Sequence, residues 1–139
     1  MCSSDLDRPT PRLALGMALA GVAHAALDVS DGLAGDLGHI LRASGLGAEI
    51  DWSALPLAPV LAFLPLVLQQ ECVLHGGDDY ELLVTAAPAA REQMQAAAKA
   101  SGTPLQRIGR LLSAPGLHLI NAQGQRQPLA MRGHDHFSA

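Results

Sequence analysis

Apolar residues recur at helical spacing most clearly between Gly32 and Ser44. Leu33, Leu37, Ile40 and Leu41 fall at i, i+4, i+7 and i+8, which predicts a helix over 32–44 with Gly45 as its stop. On that periodicity Asp36, His39 and Arg42 are expected to face away from the core. The apolar run Ala25 to Val29 just before it predicts a short buried strand. Leu15 and Leu19 share one face of a small-residue helix over 11–21, with Thr10 placed to cap it and Pro11 at its first position.

Further along, 48–52 reads as a strand, and the proline-rich stretch 53–65 has room only for short helical turns, with another turn over 66–71. A strand over 80–86 precedes a helix over 88–101, closed by Gly102 and stopped by Pro104. A strand over 105–112 follows, and 116–121 with 127–131 predict a hairpin turning near Gln123-Gly124. Helices and strands alternate irregularly and end in a hairpin. This predicts an α+β fold, a two-layer sandwich with a mixed sheet covered by helices.

Composition narrows the picture. A chain of 139 residues is one domain's worth, and 49% hydrophobic residues with a mean hydropathy of +0.21 argue for a packed core. Aromatic residues make up only 3%, so that core is Leu, Val, Ile and Ala. Met1 to Asp7 is polar and patternless and is expected to be a disordered or non-native start, leaving 8–139 as the domain.

A net charge of −4 offers no basic footprint for nucleic acid, so a phosphorylated ligand needs cations or backbone N–H groups to receive it. No apolar run reaches the roughly 18 residues of a membrane span, and Pro56, Pro59 and Pro65 break the run from Leu55 to Leu68. Leu13 to Ala20 followed by Ala23-His24-Ala25 has the outline of a signal peptide, but Asp5 and Asp7 offset Arg8 and Arg12, so the positive leader segment is lacking. The expected location is the cytoplasm. Cys2 and Cys72 form no disulfide framework or metal spacing and read as free thiols in a reducing compartment.

Two stretches carry candidate chemistry. In Asp28-Val29-Ser30-Asp31-Gly32 two carboxylates flank a hydroxyl on a strand-to-helix turn. Hard oxygen ligands there suit Mg²⁺, which takes one or two carboxylates plus waters and phosphates. Ser30 has a hydroxyl to offer a phosphate, Gly32 lets one approach, and the new helix adds unpaired N–H groups. The same residues also fit a plain helix cap at Ser30 or Asp31 with a strand end at Asp28, and spacing alone leaves both readings open. In His75-Gly76-Gly77-Asp78-Asp79-Tyr80-Glu81 the glycines bring backbone close to a ligand, and adjacent acids need a cation or donor beside them, or else the loop simply starts a strand with solvated acids. The six histidines form no HExxH or Cys/His cluster, and the P-loop and nucleophile-elbow patterns are absent.

These motifs point to a family. Ala26 to Leu33, continued by Asp36-Leu37-Gly38-His39-Ile40, resembles the second aspartate motif of the thiamine-monophosphate kinases. His75 to Leu83 resembles their Gly-Gly-acid-Asp-Tyr-Glu-Leu motif, Arg8-Pro9-Thr10-Pro11-Arg12 the opening of their C-terminal half, and Gly133-His134-Asp135-His136-Phe137 the end of their chain.

The resemblance covers 8–137 and implies a C-terminal domain of the aminoimidazole ribonucleotide synthetase superfamily. It implies transfer of the ATP γ-phosphate to thiamine monophosphate to give thiamine diphosphate, with Asp28 and Asp31 binding Mg²⁺, Ser30 contacting ATP, and Asp78 and His134 contacting the thiamine substrate. No protein nucleophile is implied. His134 stands where the family usually has an aromatic residue, and Asp78 where relatives often have glutamate. The family also has an N-terminal domain, with further Mg²⁺ ligands and the usual homodimer interface, to which nothing in this chain corresponds. This chain alone is therefore expected to be inactive. Other readings are a different ATP-dependent member of the superfamily, of selenophosphate synthetase or hydrogenase maturation type, and a non-catalytic nucleotide-binding module.

Overall fold

A computed structural model describes residues 11–77 and 81–132. Helix α1 (Leu13–Leu19) precedes strand β1 (Ala25–Val29) and helix α2 (Leu33–Ser44). Strand β2 (Gly47–Asp51) runs into two 3-10 turns, Trp52–Ala54 and Pro59–Phe63, before helix α3 (Leu66–His75). Strand β3 (Glu81–Thr85), a 3-10 turn Pro88–Ala90, helix α4 (Arg91–Ser101) and strands β4 (Gly109–Leu112), β5 (Gly116–Ile120) and β6 (Arg126–Pro128) complete the order. The fold class is the expected α+β. Among the described residues the strands form two sheets, an antiparallel pair β1-β3 and a mixed sheet ordered β4-β2-β5-β6. In the latter β2 runs parallel to β5 and antiparallel to β4, and β5 runs antiparallel to β6.

One core joins the two sheets. Leu33, Leu37 and Leu41 of α2 meet Ala48 and Ile50 of β2, Leu117 and Leu119 of β5, and Val29 and Leu83 of the β1-β3 pair. Trp52 and Leu74 close its sides. On the other face of the mixed sheet, Glu49 lies between Arg110 at 2.6 Å and Arg126 at 3.8 Å, a cross-strand arrangement that favours this register. Truncating Ile50, 1% exposed, to Ala is expected to lower stability by about 2–5 kcal/mol with an unchanged urea slope, measured by urea denaturation.

Several element limits differ from the sequence reading, each for a local reason. Helix α1 starts at Leu13, with Arg12 rather than Thr10 before it and no side-chain cap. The turn expected over 66–71 continues as a helix to His75, where Leu74 is anchored in the core. Ile108 lies outside β4 although its carbonyl accepts from the Asp51 N–H. Strand β1 is buried only at Val29, because among the described residues β3 is its one ladder partner and Ala26 and Asp28 face solvent. Between Val60 and Leu68 the chain exposes Val60, Phe63, Leu64, Leu66, Val67 and Leu68, with Phe63 89% exposed.

Candidate functional site

Strand β1 alternates, so with Val29 turned into the core Asp28 is turned out and exposed. Ser30 and Asp31 then form the turn into α2, Ser30 half-buried and Asp31 exposed. Gly32 precedes the helix at φ 101° and ψ 145°, a conformation essentially reserved to glycine. The turn is held from within α2. Asp36 Oδ2 accepts the backbone N–H of Ser30 at 2.9 Å and of Asp31 at 3.0 Å, and the Asp36 residue is 5% exposed. Asp36 therefore does not face away as the periodicity suggested. Gly32 to Gly38 is buried throughout, so the outward stripe of the first two turns is covered by the chain's own loops.

The second motif reaches this turn from α3. A Cβ at Gly32 would stand 2.9 Å from the His75 carbonyl carbon and 3.0 Å from the Gly76 carbonyl oxygen. A Cβ at Gly77 would stand 2.6 Å from the Ser30 carbonyl oxygen, and one at Gly76 would collide with the Cys72 carbonyl. At these glycines the chain's own backbone approaches closely. The two motifs interlock through them.

Two further tethers meet at this junction. His75 Nδ1–H donates to the Arg132 carbonyl at 3.0 Å, and a Cβ at Gly38 would touch Met131 at 3.0 Å. Arg12 forks onto Glu81, which pairs in register with Val29, through contacts of 3.0 and 3.4 Å. Asp78 and His134, the two residues expected to meet substrate, lie outside the described residues. Their nearest described neighbours in sequence, Gly77 and Arg132, both lie at the junction.

The donor set fits a hard cation. Asp28 and Asp31 are exposed carboxylates on one short turn. Among the described residues no group of three His, Cys, Asp or Glu side chains closes a metal cage. Two carboxylates suit Mg²⁺, which keeps waters and takes other oxygens from phosphates. The N–H groups of Ser30 and Asp31, just before the helix, are already taken by Asp36. Residues 33–35 are buried. Asp36 belongs to the aspartate motif in sequence but its hold on the turn is not marked by periodicity, although an acid in the first turn of a helix that follows a Ser-Asp-Gly turn is a usable signal.

Among the described residues no helix is long and apolar enough to cross a membrane.

Comparison with known proteins places this geometry among relatives. The family described as AIR synthase related protein, C-terminal domain, matches residues 4–120. The thiamine-monophosphate kinase of Haemophilus influenzae is 43% identical over 105 residues, covering 75% of this chain and 32% of that protein. The crystal structure of thiamine-monophosphate kinase from Stenotrophomonas maltophilia superposes with a TM-score of 0.74 at 46% identity, over 81% of this chain and 36% of that one. A structure of AaThiL complexed with AMPPCP and TMP superposes with a TM-score of 0.69 at 28% identity, over 94% of this chain and 39% of that one. The chain spans between 32% and 39% of the length of these proteins.

Proposed function

Since the chain belongs to the AIR synthase related protein C-terminal domain family, we propose that 8–139 serve as the C-terminal domain of a thiamine-monophosphate kinase. The reaction is transfer of the γ-phosphate of ATP to thiamine monophosphate, giving thiamine diphosphate. The observation that carries this reading is the interlock of the Asp28–Gly32 turn with the His75–Gly77 loop, which brings the acid-bearing turn and the double-glycine motif into one place. The AaThiL structure, which holds AMPPCP and TMP, supports a nucleotide and a thiamine phosphate as the ligands.

In-line phosphoryl transfer is mainly a matter of positioning and charge neutralisation. Asp28 and Asp31 would hold Mg²⁺, whose bound charge would offset that of the phosphates. Ser30 would donate its Oγ–H to a phosphate oxygen of ATP. Asp78 and His134 would contact the thiamine substrate, the imidazole standing in for an aromatic ring. The acceptor phosphate oxygen attacks directly, so no side chain of this chain serves as nucleophile. The remaining Mg²⁺ ligands and the homodimer contact belong to an N-terminal domain, and the apolar strip from Val60 to Leu68 is consistent with a chain that has a partner surface. The setting is the cytoplasm.

The test is an assay for thiamine diphosphate with ATP, Mg²⁺ and thiamine monophosphate. The purified 139-residue chain alone is expected to give no product, and the chain joined to the N-terminal portion of a thiamine-monophosphate kinase is expected to give product. Turnover by the chain alone would overturn its incompleteness. A joined enzyme that phosphorylates a different acceptor in preference would overturn the substrate.

A further inference from the structure

We infer that Asp36 is a positioning residue, a buried carboxylate that fixes the turn from which Asp28, Ser30 and Asp31 present their oxygens. The inference rests on the metal and phosphate role proposed above for that turn.

A carboxylate withdrawn from water is tolerated only when its oxygens are hydrogen-bonded. Asp36, 5% exposed, meets that need with two backbone donors, the N–H groups of Ser30 at 2.9 Å and Asp31 at 3.0 Å. Both bonds involve a charged acceptor and so are stronger than neutral ones. Its own N–H donates to the Gly32 carbonyl at 3.0 Å, so backbone and side chain of one residue grip three consecutive residues of the turn. The reach is longer than an ordinary helix cap. Asp36 is the fourth residue of α2, and its side chain passes back over the first turn to the two residues before Gly32.

Two consequences follow for the site. The N–H groups of Ser30 and Asp31 point inward at Asp36, while the side chains of Asp28 and Asp31 stay exposed as oxygen donors. The grip also sets how the turn sits on Gly77, since the Ser30 carbonyl is the atom that Gly77 approaches. Asp36 touches no ligand under this assignment. It acts through the backbone of the residues that do.

The test uses the isotopically labelled 139-residue chain and Mn²⁺ alone as the metal probe. In the wild-type chain the Ser30 and Asp31 amides are expected to show slow hydrogen exchange and a scalar coupling to the Asp36 carboxylate carbon. Absence of that coupling overturns the clamp without any variant, so the measurement stands even if a variant does not fold. In Asp36→Asn, which keeps size and one acceptor oxygen, exchange at the two amides is expected to speed up at least tenfold while Ile50 and Leu119 stay protected. The Mn²⁺ concentration that half-broadens the Asp28 and Asp31 signals is expected to rise about tenfold.

Loss of metal affinity with amide protection intact would overturn positioning, because charge alone would then account for it. Loss of protection with an unchanged midpoint would overturn it as well. Failure of Mn²⁺ to broaden Asp28 or Asp31 in the wild-type chain would instead overturn the metal reading on which the role depends, while the coupling still reports the clamp.

Discussion

Replacing Asp28 by Asn, in an enzyme that carries this chain as its C-terminal part, is expected to lower kcat by about a hundredfold or more. Asp28 is exposed at the end of β1 with its backbone paired to Leu82, so the amide is accommodated without disturbing the core. What changes is one formal charge and one hard oxygen. The turn offers two carboxylates, Asp28 and Asp31, with residues 33–35 buried and the N–H groups of Ser30 and Asp31 taken by Asp36. Under the proposed Mg²⁺ role, losing this ligand would remove several kcal/mol of transition-state stabilisation, on the order of two to three decades in rate. The check is steady-state kinetics across a Mg²⁺ titration, with thermal unfolding as the control for folding. Near-normal kcat at saturating Mg²⁺ would remove Asp28 from the ligand set.

Gly32→Ala is expected to be strongly destabilising, because strain and a backbone clash coincide there. Gly32 sits at φ 101° and ψ 145°, where an L side chain is strained by about 1–3 kcal/mol. The added Cβ would also stand 2.9 Å from the His75 carbonyl carbon, against backbone that cannot swing aside as a side chain can. Together these give a loss of about 3 kcal/mol or more and a melting temperature lower by roughly 10 °C. The comparison variant is Gly45→Ala, which has a positive φ of 69° but open space around it, and it is expected to lose only about 1 kcal/mol. Differential scanning calorimetry of both variants separates backbone strain from the interlock. Equal losses at the two sites would show that the approach of His75 and Gly76 contributes nothing.

Much of the fold is legible along the chain. The apolar spacing of Leu33, Leu37 and Leu41 marks α2, and all three are buried. Gly45 and Gly102 end their helices in the left-handed conformation that only glycine enters freely. The prolines between Ser53 and Pro65 hold the chain to two 3-10 turns. The candidate carboxylates Asp28 and Asp31 are legible too, because a strand end and a helix start leave them on the turn between.

Other features depend on residues far apart in sequence. Periodicity records one face of a helix, so it placed Asp36 outside. The residue is buried because the Ser30–Asp31 turn folds back over the first turn of α2. Nothing local to Ala25–Val29 says that it pairs with Glu81–Thr85 and not with the mixed sheet.

Spacing, capping and backbone freedom within a few residues are enough to mark most elements, the acid-bearing turn and the two glycine motifs. The steric need for glycine arises from contacts between the two loops. Gly32 and Gly77 lack side chains because His75, Gly76 and Ser30 occupy the space, and that steric requirement exists only once the two loops are brought together.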